Sequence, residues 1–279
     1  MRNGTRVVVG GLLVCCFAVA LVSAETIAWW RFEEGAPGEV VATVHDWAPD
    51  GTSEGDLSGG DPSGDPVYAS TDHSLDVNGL ADRVALQMDG VDDYIPNIPF
   101  VTLTWESRFT IECIFNWAGA VETPAEGFRA VDMILQQSDG LGTGRSLLYI
   151  ITNEDDETVI PSLASYLGGA TTNIVDVEVP SNQWVYAGAT YDDGGYTLWL
   201  DTDLSDGIQP DSNFAENFLD FEDNDAPVII GRHKNLVDYF HGMISELRVT
   251  DSGYGPDWGP PEDHFQVAPA ANVGDWMMF

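Results

Sequence analysis

Hard oxygen donors are the chemistry this sequence offers most freely. Aspartates gather among turn-forming residues: Asp46 and Asp50 in His45-Asp46-Trp47-Ala48-Pro49-Asp50-Gly51, and Asp89, Asp92 and Asp93 in Asp89-Gly90-Val91-Asp92-Asp93. Calcium takes carboxylates and loop carbonyls, about six to eight oxygens at a time, so it is the cofactor these residues suggest. Each aspartate also has a plain structural reading, because its side chain can bond its own main chain and fix a turn. No twelve-residue loop of EF-hand type is present. The second chemistry is stacking. Trp47, Tyr94, Trp105 and Tyr239 all stand near turns, where an aromatic ring with polar neighbours can receive the face of a sugar. Trp30, Trp117 and Trp184 are expected in the core instead.

Catalytic constellations are not found. Glu154-Asp155-Asp156-Glu157 and Glu222-Asp223-Asn224-Asp225 read as solvated turns, without the apolar surroundings that would raise one carboxyl pKa for acid catalysis. There is no Gly-x-Ser-x-Gly elbow. His45, His73, His233, His241 and His264 show no zinc spacing and read as surface or loop residues. Cys113 lies in an alternating apolar stretch and reads as a buried, inert thiol.

Charge excludes whole classes of partner. The chain has 46 Asp and Glu against 10 Lys and Arg, a formal charge of −36, and Lys234 is its lone lysine. A nucleic-acid partner needs a cationic face that displaces counterions, and an anionic membrane surface needs the same. The acidity suits either solvation in saline surroundings or calcium-binding loops.

At the N-terminus, Arg2 and Arg6 precede an apolar run from Val7 to Val22, followed by small residues in Val22-Ser23-Ala24. That order predicts a secretory signal over residues 1–24. The competing reading is a retained anchor, although the run is short for a span of about 20 residues. Val14 is not the small residue that lipidation of Cys15 would require. Removal of Arg2 and Arg6 takes the charge from −36 to −38. The mature chain is expected to be secreted or otherwise extracytoplasmic, in the periplasm or at the cell surface, without membrane insertion.

The elements that must position these residues are strands. Short β runs separated by Gly, Asp, Pro and Asn predict strands near Thr26–Phe32, Val84–Met88, Phe109–Trp117, Ala130–Gln136 and Ser146–Thr152. Others follow near Gln183–Tyr191, Tyr196–Asp201, Val228–Gly231 and Met243–Thr250. In Phe109–Trp117 the odd positions are apolar and the even ones mostly polar, the period of a strand with one buried face. Asp192-Asp193-Gly194-Gly195 predicts a hairpin turn. Pro49 to Asp76, rich in Gly, Asp, Ser and Pro, reads as a long surface loop. There is no long amphipathic helix and no internal repeat. The fold class is therefore all-β, a two-sheet sandwich or jelly roll, as one domain over 25–251 with a C-terminal extension over 252–279.

Several segments, in order, resemble the laminin-G-like, concanavalin A-like jelly rolls. They are Ala28-Trp29-Trp30-Arg31-Phe32-Glu33-Glu34-Gly35, the polar loop His45–Gly51, and Leu86-Gln87-Met88-Asp89-Gly90-Val91-Asp92-Asp93-Tyr94-Ile95. Phe109-Thr110-Ile111-Glu112, Gln183-Trp184-Val185-Tyr186 through Asp192, Ile230-Gly231-Arg232 and Phe240–Val249 continue the likeness. Order and spacing carry it, from Glu25 to about Asp251. Two departures stand out. Thr202-Asp203-Leu204 replaces the usual glycine turn, and Ser245 stands where aspartate is common, which weakens the transfer of a metal ligand there.

The resemblance implies an antiparallel jelly-roll sandwich whose opening and closing strands adjoin, and so adds Glu33 and Glu246 to the oxygen donors. The candidate calcium ligands are Glu33, Asp46, Asp92 and Glu246, and the candidate sugar contacts are Trp47, Tyr94, Trp105 and Tyr239. The implied function is a secreted, non-catalytic, lectin-like module for a glycan or cell-surface protein, with calcium as its cofactor. The alternatives are a structural or adhesion component of the envelope and a glycoside hydrolase of the same fold. Some relatives with that activity carry Glu-x-Asp-x-(x)-Glu on one strand, a spacing absent here.

Overall fold

A computed structural model describes residues 26–49, 51–56, 65–77, 80–100, 109–119, 130–138, 144–152, 161–166, 173–192, 195–205, 208, 212–217, 226–233, 239–251 and 267–269. The predicted signal segment 1–24, Asp50, Trp105 and the acidic runs at 154–157 and 222–225 lie outside these residues.

The described residues form strands and no helix. In chain order they are β1 (Thr26–Trp30), β2 (Thr43–Val44), β3 (Gly55–Asp56), β4 (Val67–Val77), β5 (Leu80–Asp89), β6 (Ile95–Ile98), β7 (Phe109–Trp117), β8 (Ala130–Ser138) and β9 (Gly144–Thr152). They continue with β10 (Ser162–Tyr166), β11 (Asn173–Glu178), β12 (Trp184–Asp192), β13 (Gly195–Asp201), β14 (Ser212–Asn217), β15 (Val228–Ile230), β16 (His241–Thr250) and β17 (Val267–Pro269). All nine predicted strands are present. Among the described residues no helix is long and apolar enough to cross a membrane.

Two antiparallel sheets make a jelly-roll sandwich. The larger runs β14-β13-β12-β7-β16-β5-β4-β17, and the smaller runs β11-β10-β9-β8-β15-β6. One edge of β16 pairs with β7, and its other edge is shared: His241–Ile244 pair with β5, and Leu247–Thr250 pair with β1. The changeover coincides with a bulge between Ile244 and Glu246. Opening and closing strands are therefore neighbours. Between the sheets, Leu86, Phe115, Leu198 and Ile244 pack in one cluster with Leu135, Ile150, Leu163 and Ile230. Tyr191 of β12 ties the layers by donating its hydroxyl to the Leu147 carbonyl at 3.2 Å.

Two expectations are corrected. Pro49 to Asp76 is not all loop, since it contains β3 and most of β4. Tyr68 pairs with Leu86 of β5 and is 4% exposed, and its ring fills the space that a side chain at Gly35 would need. Pairing with neighbouring strands and the burial of Tyr68 override weak local propensity. The second concerns β7, which has two buried faces rather than one: Thr110, Glu112 and Ile114 are 0% exposed and Asn116 is 6%. Ile114 joins Tyr186 and Leu204 in a second apolar cluster against Trp29 and Trp184. The enlarged connection after Asp201, at Thr202-Asp203-Leu204, thus supplies cover for that face.

Candidate functional site

Among the described residues Trp47 is the aromatic most exposed at the surface, with 45% of its area in solvent. Its position is built from the end of β1. Phe32 enters the core in a left-handed conformation (φ 57°), which costs roughly 1–2 kcal/mol and turns the chain out of the strand. Arg31, 4% exposed, stacks between two indoles, its guanidinium carbon 5.5 Å from the Trp29 centroid and 5.2 Å from that of Trp47. Glu246 holds that arginine, accepting from Arg31 Nε at 2.9 Å and from Trp29 Nε1 at 2.6 Å. The Trp47 indole N–H donates to Glu34 at 2.9 Å. The result is a flat apolar face in solvent with its orientation fixed from behind and from its edge.

Asp46 folds the loop that carries Trp47. Its two oxygens accept four main-chain N–H groups, from Trp29 and Ala48 at 2.9 Å, Ser53 at 3.0 Å and Thr52 at 3.1 Å. Beside it, Tyr68 donates to the Thr43 carbonyl at 3.0 Å, and burial reinforced by the Glu34 charge pushes its phenol pKa up.

The turn between β5 and β6 forms a second locus. Asp89, Asp92 and Asp93 bring carboxylate oxygens within 4.8 Å of one another, the one such group of acidic, His or Cys side chains among the described residues. Gly90 supplies a positive φ of 77°. Asp89 Oδ1 accepts the Val91 N–H at 2.7 Å, and Asp93 Oδ2 accepts the Asp89 N–H at 2.8 Å. Asp93 is 8% exposed, and its pKa is pushed up to about 6. Burial is the largest cause; the bond from Asp89 N–H lowers it, while the charges of Asp89, Asp92 and Asp65 raise it further. Three carboxylates on one turn are hard oxygen donors of the kind calcium takes, although Asp89 and Asp93 each already accept a main-chain N–H. Next to it, the Arg232 guanidinium carbon lies 3.6 Å over the Tyr94 ring centroid, and the Tyr239 ring stands 6.3 Å from Tyr94 at 57°.

The sequence-derived candidates thus fall in different places. Tyr94 and Tyr239 come together, and Asp92 joins Asp89 and Asp93. Glu33, Asp46 and Glu246 do not share a site with Asp92; each spends oxygens on protein donors, Glu33 on the main-chain N–H of Arg83 and, at 3.0 Å, of Val84. Sequence reasoning missed Arg31, Arg232 and a buried group on the larger sheet. In that group Glu112 accepts Arg248 Nε at 3.0 Å, also Nη2, and the Tyr186 hydroxyl at 3.1 Å. The available signal was a charge at positions where the alternating residues are apolar. Glu112 and Glu246 lie on adjacent strands on one face, yet both are 0% exposed and each is held by an arginine.

The sequence model for the concanavalin A-like lectin/glucanases superfamily matches residues 89–256, more than half of the chain. A search of curated proteins found no match. Among solved structures, an arabinofuranosidase complexed with arabinofuranosyl-α-1,2-xylobiose is 9% identical, covering 84% of this chain and 57% of that one with a TM-score of 0.52. Domain 4 of AbnA, a GH43 extracellular arabinanase from Geobacillus stearothermophilus in complex with arabinotriose, is 14% identical, covering 84% of this chain and 96% of that one with a TM-score of 0.46. The Ruminococcus gnavus IT-sialidase CBM40 bound to α2,3 sialyllactose is 13% identical, covering 54% and 79% with a TM-score of 0.36.

Proposed function

Because the chain belongs to the concanavalin A-like lectin/glucanases superfamily, we propose that it is a secreted, non-catalytic module that recognises a glycan. The observation that carries this reading is Trp47: an indole 45% exposed yet held by Arg31, Glu34 and the loop folded around Asp46. A rigid, solvent-facing ring loses little freedom when a sugar stacks on it, so more of the contact energy appears as affinity. Tyr94 and Tyr239 supply a second aromatic contact, and calcium at Asp89, Asp92 and Asp93 orders the turn beside them.

A hydrolytic reading has less support. Glycosidases need two carboxylates able to reach the scissile bond, one of them kept protonated. Glu112 and Glu246 are fully buried and each is occupied by a guanidinium, so neither is placed to reach a scissile bond.

The test is titration of the protein and of Trp47→Ala against a panel of neutral and acidic polysaccharides. Loss of a well-placed aromatic anchor weakens binding by at least about tenfold, and the melting temperature should fall less than for loss of a core aromatic because 45% of Trp47 is already in solvent. Turnover of any polysaccharide would overturn the non-catalytic reading. Absence of binding across the panel would leave the structural or adhesion role in its place.

A further inference from the structure

We propose that the sugar this module takes bears a carboxylate, and that Arg232, stacked on Tyr94 beside Tyr239, is the group that holds it. The inference rests on the glycan-recognition reading above and names its ligand class.

Cations are scarce in this chain, 10 against 46 acidic residues. Arg31 is held by Glu246 and Arg248 by Glu112. Arg232 has no carboxylate partner among the described residues, although Asp89, Asp92 and Asp93 occupy the turn next to its stacking partner Tyr94. Its Nε is buried with no hydrogen-bond acceptor. The main chain fixes this placement. Arg232 pairs with Tyr239 through an isolated β-bridge, and the preceding Gly231 has φ 86° with the Met88 sulfur where a side chain would begin. The Asp93 carbonyl oxygen lies 3.6 Å from that same point, so the main chain of the acidic turn packs against Gly231.

A guanidinium stacked on a ring keeps its charge while one face is covered. With Nε buried, its two terminal Nη groups are the donors left to a ligand, and a carboxylate can take one N–H from each in parallel. The pyranose ring attached to that carboxylate would meet Tyr94 and Tyr239. Asp89, Asp92 and Asp93 are close enough to oppose such a ligand, so the Arg232 contact has to outweigh them, whereas acidic residues beyond about 8 Å are largely screened at physiological ionic strength.

The experiment is calorimetric titration of the protein with trigalacturonate, with its methyl ester and with sialyllactose, repeated for Arg232→Gln and Arg232→Lys. Trigalacturonate and its ester differ only in free carboxylates, whereas sialyllactose tests the other common source of that group. We expect at least one free acid to bind about tenfold or more tighter than the neutral ester. Arg232→Gln should erase that gap, and Arg232→Lys should restore only part of it, since a point charge does not reproduce the planar fork. Melting temperatures of the variants report folding. Equal binding of acid and ester by the wild type, or an undiminished gap in Arg232→Gln, overturns the inference and leaves the glycan reading standing. Binding to no saccharide in either panel overturns both.

Discussion

Arg31 and Glu246, 215 residues apart in the chain, meet at 2.9 Å with side chains only 5% and 0% exposed. The pair joins the end of the opening strand to the closing one and lies directly behind the exposed ring of Trp47. Core stability and the proposed ligand surface therefore share one ion pair.

Glu246→Ala should be costly on both counts. It strands a buried guanidinium and removes the acceptor of the Trp29 indole, and breaking one half of such a pair costs about 3–5 kcal/mol. Denaturant unfolding measures the loss. In whatever fraction remains folded, Arg31 no longer has a fixed seat, so glycan affinity should fall toward that of Trp47→Ala. Unchanged affinity in the Glu246 variant would detach the pair from the ligand surface.

Asp93 makes stability depend on pH. Its folded pKa is raised from 3.8 to about 6, so its contribution is full below the unfolded value and is lost as pH climbs through about 6. In calcium-free buffer the melting temperature should therefore drop between about pH 4 and pH 6 beyond what the other carboxylates cause. Asp93→Asn, whose side-chain oxygen can still accept the Asp89 N–H, should flatten this step and melt higher than the wild type at pH 7. An unaltered profile in the variant would show that Asp93 does not titrate there.

Calcium should reverse the same penalty. A cation at Asp89, Asp92 and Asp93 offsets the charge that destabilises the folded turn, and a ligand bound only by the folded state at a hundred times its Kd contributes about 2.7 kcal/mol. The melting temperature should rise with calcium against chelator at fixed ionic strength, and magnesium should not reproduce the rise. Asp92→Asn should abolish it with little effect on the calcium-free protein, since Asp92 is the group least used by the main chain. Because protons compete for Asp93, calcium affinity should increase as pH passes through about 6. An equal response to magnesium would mean a diffuse electrostatic effect rather than a site.

How far these features could be read from sequence follows from the range of the interactions involved. The alternation Phe109 to Trp117 gave β7 its exact limits, because period two is a local property. Asp46 was legible as a turn residue, and the four N–H groups it accepts show that its carboxylate serves the loop. From sequence the polar positions of β7 look solvent-facing, since Glu112 gives no local sign that Arg248 and Tyr186 will cover it. β4 was hidden for the same reason: its strand character comes from pairing with β5, within a segment whose composition resembles a loop. Arg232 carried a family-like position but no signal of its stacking, because Tyr94 is far from it in sequence and near it only in the folded sheet.

The face that hides Glu112 depends on a missing side chain. Gly188 lies between Glu112 and Trp199 in one cross-strand row. A Cβ at that point would come within 2.8 Å of the Trp199 ring and 2.9 Å of the Tyr186 hydroxyl, the same hydroxyl that donates to Glu112 at 3.1 Å. Gly188→Ala must push one of these aside. Overpacking of this kind costs about 1–3 kcal/mol, and displacement of Tyr186 leaves Glu112 with fewer donors in a site closed to water. We expect lower stability in denaturant unfolding, partly recovered by Gly188→Ala combined with Tyr186→Phe, which removes the clashing oxygen. If the double variant is no more stable than the single one, the Trp199 ring rather than the hydroxyl sets the limit at this row.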